Sequence, residues 1–157
     1  MQRQQVHVTG VLAHGQHRAF AFLSGDEIPH DSNLTVECLQ RVLADIASGG
    51  PLPRKCYIQL DNCSRYGFPV ADGEEGRRGG RVCKLKAEGE RVGGGEVIID
   101  CLCLDSDNKN RYVLAWAAWL VARAVFDVLE LAFLPIGHTH EEWASLLLAS
   151  SPRVVVI

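Results

Sequence analysis

The sequence predicts an α/β domain with a mixed sheet and helices on both faces. Three observations carry that expectation. Two short apolar stretches near the N-terminus, joined by a glycine turn, read as a β-hairpin. Strand-like and helix-like stretches then alternate, the pattern of a sheet with helices packed on it. A glycine-rich stretch in between shows neither period for most of its length and reads as an insertion.

Taken in order, Val6, Val8 and Val11–Leu12 alternate with His7 and Thr9, which predicts a strand. Gly15 turns the chain into Ala19–Leu23, the hairpin's second strand. Asp31, Ser32 or Asn33 is placed to cap a helix by accepting a free N–H of its first turn. Leu39, Val42, Leu43 and Ile46 fall on one helical face, and Gly49-Gly50-Pro51 stops that helix. Cys56, Ile58 and Leu60 alternate with Tyr57 and Gln59 in a strand over 55–61 that ends on Asp61. Asn110–Phe126 is rich in helix formers and apolar nearly all round, which predicts a deeply buried helix with Trp116 and Trp119 in the core. Val128–Leu134 reads as a strand, and Glu141–Leu148 as a last helix. With the insertion excluded, the order is β-β-α-β-α-β-α.

The insertion accounts for the chain's compositional oddity. Nine of the 15 glycines in 157 residues lie between Tyr66 and Ser106. So many glycines carry a large ordering entropy, and a loop of 41 residues is unusual inside a small domain. The division is therefore 1–65 and 107–148 as the domain, 66–106 as the insertion and 149–157 as a tail. Other classes are excluded more simply. A formal net charge of −3 gives no global basic footprint for nucleic acid. The longest apolar run, Tyr112–Ala122, is 11 residues, against about 20 for a membrane span. MQRQQVHVTG has no apolar core of a secretory signal, so an intracellular location, nuclear or cytoplasmic, is expected.

Parallel strands in such sheets gather ligands beyond their C-terminal ends. Asp61 and the segment Gly137–Glu142 both follow predicted strands, so the fold is expected to bring them together. The informative strings are QLDNCSR at 59–65, DNKNRYVLA at 107–115 and FLPIGHTHEE at 133–142. In that order, with an apolar helix after the second, they resemble a eukaryotic domain of unknown function (number 7869) seen in large, transposon-like proteins. VHVTGVLAHG at 6–15 and SNLTVECLQRVL at 32–43 share the resemblance. The family signature runs without a gap where this chain carries the insertion. Deleting Tyr66–Ser106 restores DNCSRDNKN, and Arg65 and Ser106 can be coded so that the excised piece starts GTATGG and ends AG. A retained intron is one explanation, and a genuine loop is the other.

The element order also resembles the ribonuclease H-like fold of integrases and transposases, lacking its first strand. That resemblance implies carboxylates holding two divalent ions about 4 Å apart, which activate the nucleophile and stabilise the leaving oxygen. Asp61 matches the acid after the fourth strand, and Glu141 or Glu142 the acid of the final helix. Hard oxygen ligands suit Mg²⁺. His138 and His140 would stand near the reacting phosphate, with Asn62, Asn108, Lys109 and Asn110 toward DNA. The first-strand acid has no counterpart, and the family's late IDQ becomes Trp143-Ala144-Ser145, so robust nuclease activity is not expected.

Plainer readings stand beside these. Asp61 caps a turn, Asn108–Asn110 cap the buried helix, and His138 and His140 are loop histidines bonded to backbone. Cys56 and Cys63 are reduced thiols, and Cys101-Leu102-Cys103 lacks partner ligands for zinc. His7, His14 and His17 are solvated. Gly137-His138-Thr139-His140 also resembles the closing motif of calcineurin-like metallophosphoesterases, although the early DxH and central GNH of that family are missing. A third reading is a non-enzymatic or decayed fragment, in which the hairpin would present an unpaired edge.

Overall fold

The computed structural model describes residues 5–60, 82–87, 95–103, 111–133 and 151–157. They form a mixed α/β domain with one seven-stranded sheet and two helices. In chain order these are β1 (Val6–Ala13), β2 (Arg18–Gly25), α1 (Ser32–Ser48), β3 (Lys55–Leu60), β4 (Val82–Lys86), β5 (Glu96–Cys103), α2 (Arg111–Ala122), β6 (Val128–Phe133) and β7 (Arg153–Val156). The strand order across the sheet is β4-β6-β3-β5-β1-β2-β7.

The hairpin forms as expected. β1 and β2 pair antiparallel from Val6 opposite Gly25 to Ala13 opposite Arg18. A single 3-10 turn, His14–Gln16, joins them, closed by His17 at φ 50°, in the left-handed region. α1 begins where a cap is available: the Asp31 carboxylate accepts the N–H of Asn33 at 2.8 Å and of Leu34 at 3.3 Å. It stops at the glycine pair, where the N–H of Gly49 donates to the Ile46 carbonyl at 3.1 Å and that of Gly50 to Ala47 at 3.3 Å. Leu39, Val42, Leu43 and Ile46 are all buried, as their spacing requires.

The core lies between α1, α2 and one face of the sheet. Cys56, Ile58 and Leu60 of β3 point into it, with Val97, Ile99 and Cys101 of β5 and Leu129, Leu131 and Phe133 of β6. Val11, Ala13, Phe20 and Phe22 continue the face across the hairpin. Alternation along each strand dictates this, because successive side chains leave opposite faces. α1 and α2 contact each other. Both described helices therefore lie on this face, rather than one on each. The helix expected over 141–148 lies outside the described residues.

Three further expectations are corrected. The glycine-rich segment 66–106 supplies β4 at one sheet edge and β5 in the interior. β5 pairs parallel with β3 and antiparallel with β1, so the position beside the hairpin read as lacking a strand is filled. The residues expected as a tail form β7, parallel to β2, so the outer sides of the hairpin are paired over Thr9–Ala13 of β1 and Phe20–Leu23 of β2. α2 is amphipathic rather than apolar all round. Trp116 is buried, but Trp119 is 53% exposed and lies beside Arg123, whose guanidinium sits 5.9 Å from its ring centroid.

Ion pairs fasten the outer strands. Asp45 near the end of α1 accepts from Arg18 of β2 at 2.7 Å and from Arg153 of β7. Lys84 of β4 pairs with Glu130 of β6. Cys56 sits among apolar neighbours as a core thiol, and burial pushes its pKa from 9.0 up to about 12. The sign follows from linkage. The unfolded chain releases this proton above its ordinary pKa while the folded chain keeps it, so stability is full below pH 9 and falls as pH rises toward 12. Denaturant melts between pH 8 and 11 are expected to show that loss, reduced in Cys56→Ala relative to its own value at pH 8. An identical slope in both proteins contradicts it.

Candidate functional site

β3 and β6 are parallel neighbours in register, Leu60 beside Phe133. The chain therefore leaves both strands at the same edge of the sheet. Asp61 is the next residue after Leu60, and Gly137 is the fourth after Phe133. β5 reaches the same level, with Cys101 opposite Leu60. This is the edge where parallel strands present loops to ligands. Asp61, Asn62, Asn108, Lys109, His138, His140, Glu141 and Glu142 themselves lie outside the described residues. So does Asn110, which directly precedes the first residue of α2. Cys63 also falls outside.

Two side-chain groups near the sheet were not singled out as sites in the sequence. The first is Asp100 of β5. It stands in register with Gln59 on one side and Leu12 on the other, on the face away from the helices. Its Oδ2 lies 2.5 Å from Nε2 of His14, in the turn after β1. The carboxylate is mostly covered and the imidazole half exposed. The carboxylate fixes the orientation of the ring through this contact. The sequence signal was an acid inside the apolar run VIIDCLCL, a residue type that strands disfavour.

The second group joins the far end of the hairpin to the loop before α1. Asp26 Oδ1 is 3.3 Å from His7 Nε2, the His7 and His30 rings are 3.8 Å apart, and His30 Nε2 is 3.3 Å from buried Ser24 Oγ. The expectation of solvated histidines thus holds for His17, which is exposed, while His7 and His14 are engaged with acids. Among the described residues, no three His, Cys, Asp or Glu side chains converge to hold a metal ion.

A groove of about 500 Å³ opens between β4 and α2, lined by Leu85, Lys86, Ala87, Ala118 and Val121 among others. It adjoins the N-terminal end of β6, where Lys86 stands opposite Val128. That is the opposite edge from Leu60 and Phe133. Behind this end, Asp127 is buried. Its Oδ1 is 3.4 Å from Arg54, and its Oδ2 has no hydrogen-bond partner among the described residues. No helix among the described residues is long and apolar enough to cross a membrane.

Fold and edge together define a mixed α/β domain with its candidate chemistry beyond the C-terminal ends of parallel strands. The chain belongs to the family described as Domain of unknown function (DUF7869), which it matches over residues 1–67 and 101–144. The matched residues hold β1, β2, α1, β3, α2 and β6 complete; they leave out 68–100, with β4 and the first part of β5, and 145–157, with β7. Searches of curated proteins and of solved structures found no match.

Proposed function

We propose that the chain is a transposon-derived, ribonuclease H-like domain whose ancestral chemistry is divalent-metal-dependent phosphodiester cleavage or strand transfer. The observation that carries this is the shared edge: Leu60 and Phe133 end in register, so the strings carrying Asp61 and the 137–142 segment start from neighbouring strands. In this reading Asp61 and Glu141 or Glu142 hold Mg²⁺. His138 and His140 lie near the phosphate, and Asn62, Asn108, Lys109 and Asn110 face DNA. When bound, the metal would supply an activated nucleophile and charge neutralisation. The described residues supply no cage for it, so the metal reading rests on Asp61, Glu141 and Glu142.

Robust nuclease activity is not part of the proposal. Position 144 is Ala where the family resemblance calls for an acid. Asp100, on β5 beside β3, is engaged by His14. The segment skipped by the family match, 68–100, falls inside 66–106, which supports an insertion relative to the family; a retained intron is the origin proposed for it. Sequencing the spliced transcript tests that origin: a message that always carries these codons overturns it.

Titration of the purified chain with Mn²⁺ tests the site. Asp61→Ala is expected to weaken binding by about tenfold or more. Binding that survives unchanged removes Asp61 from the site. Hydrolysis of a phosphomonoester, lost in His138→Ala, would instead favour a metallophosphoesterase.

A further inference from the structure

β1 and β3 do not pair with each other; β5 lies between them. It is held by five register pairs to β1, Thr9–Ala13, and by six to β3, Lys55–Leu60. Removing it would leave two blocks, β4-β6-β3 and β1-β2-β7, each with an open edge. Yet most of β5 comes from the segment the family match passes over, while both flanking strands lie inside the match. The strand that joins the two halves of the sheet thus comes mostly from outside the shared domain.

We propose that the slot between β1 and β3 is an acceptor site for an extended peptide strand, which this chain fills with its own residues 96–103. The slot's chemistry is defined on both sides. The backbone must run parallel to β3 and antiparallel to β1, so that main-chain bonds supply the affinity. Every second side chain must be apolar and of moderate size, as Val97, Ile99 and Cys101 are, because α1 and α2 close that face. The alternate positions accept mixed chemistry: Ile98 is partly exposed, and Asp100 reaches His14. A one-residue slip would turn Ile98 and Asp100 into the core, so the register is strongly specified.

The test uses the full chain and a fluorescent synthetic peptide of residues 95–104. In Ile99→Asp the chain's own strand no longer fits the slot. The peptide is expected to bind this variant at least about tenfold more tightly than wild type, whose slot is filled, and to raise its melting temperature. A peptide that itself carries Ile99→Asp should do neither. If Ile99→Asp is unfolded alone, the wild-type peptide should restore its circular dichroism. Ile99→Ala, a milder lesion, should capture the peptide to an intermediate degree. Equal capture by wild type and Ile99→Asp, no stabilisation of either variant, or equal binding of both peptides overturns the proposal.

Discussion

Ile58→Asp is expected to abolish cooperative folding. Ile58 is 1% exposed, in β3 between β5 and β6, with α1 and α2 covering its face. An unpaired carboxylate there costs several kcal/mol, comparable with the roughly 5–15 kcal/mol that holds a domain of this kind together. Gln59, one residue on, points to the other face and is partly exposed. Gln59→Ala should cost under about 1 kcal/mol. Urea melts followed by circular dichroism check the pair. A cooperative Ile58→Asp transition within about 3 °C of wild type on heating would contradict the placement of β3.

Phe22→Ala is expected to cost about 3–5 kcal/mol and to lower the melting temperature by about 6–20 °C. Phe22 is 1% exposed, and its ring stacks on that of Phe20 with centroids 6.3 Å apart. The hairpin thus contributes two buried aromatic rings to the core shared with α1. Val154, on the edge strand β7, is 62% exposed, so Val154→Ala should change stability by less than about 0.5 kcal/mol. Equal effects of the two substitutions would mean that β2 does not face the core.

Local pattern explains which elements were legible in the sequence. The hairpin, the apolar stripe of α1, the alternation of β3 and the run of β6 each declare themselves within ten or so residues. Even the Asp31 cap could be read, because an N-cap needs only the next three residues. β5 was harder. Glu96–Cys103 has strand composition, but the glycines around it argued for an insertion, and nothing local says that Ile99 pairs with Ala13 and Ile58. β7 is four residues long, too short for a period to show. Trp119 misled for another reason. Composition marks it as core, while its angular position on α2 points it to solvent beside Arg123.

The candidate site divides the same way. The sequence placed Asp61 and 137–142 after parallel strands, and β3 and β6 do end in register at one edge. It did not single out Asp100, because the contact with His14 joins residues 86 positions apart across a strand that had been set aside. Long-range pairing of this kind is settled by the sheet as a whole and not by any window of sequence.

β5 is an interior strand of the domain and holds the hairpin to the parallel strands that end at the candidate edge. Native-state amide hydrogen exchange tests it most directly. The amides of Val97–Cys101 should exchange only through global opening, in the slowest class, together with that of Ile58. Exchange of Ile98 and Ile99 at the rate of unprotected amides, while Ile58 stays protected, would contradict it.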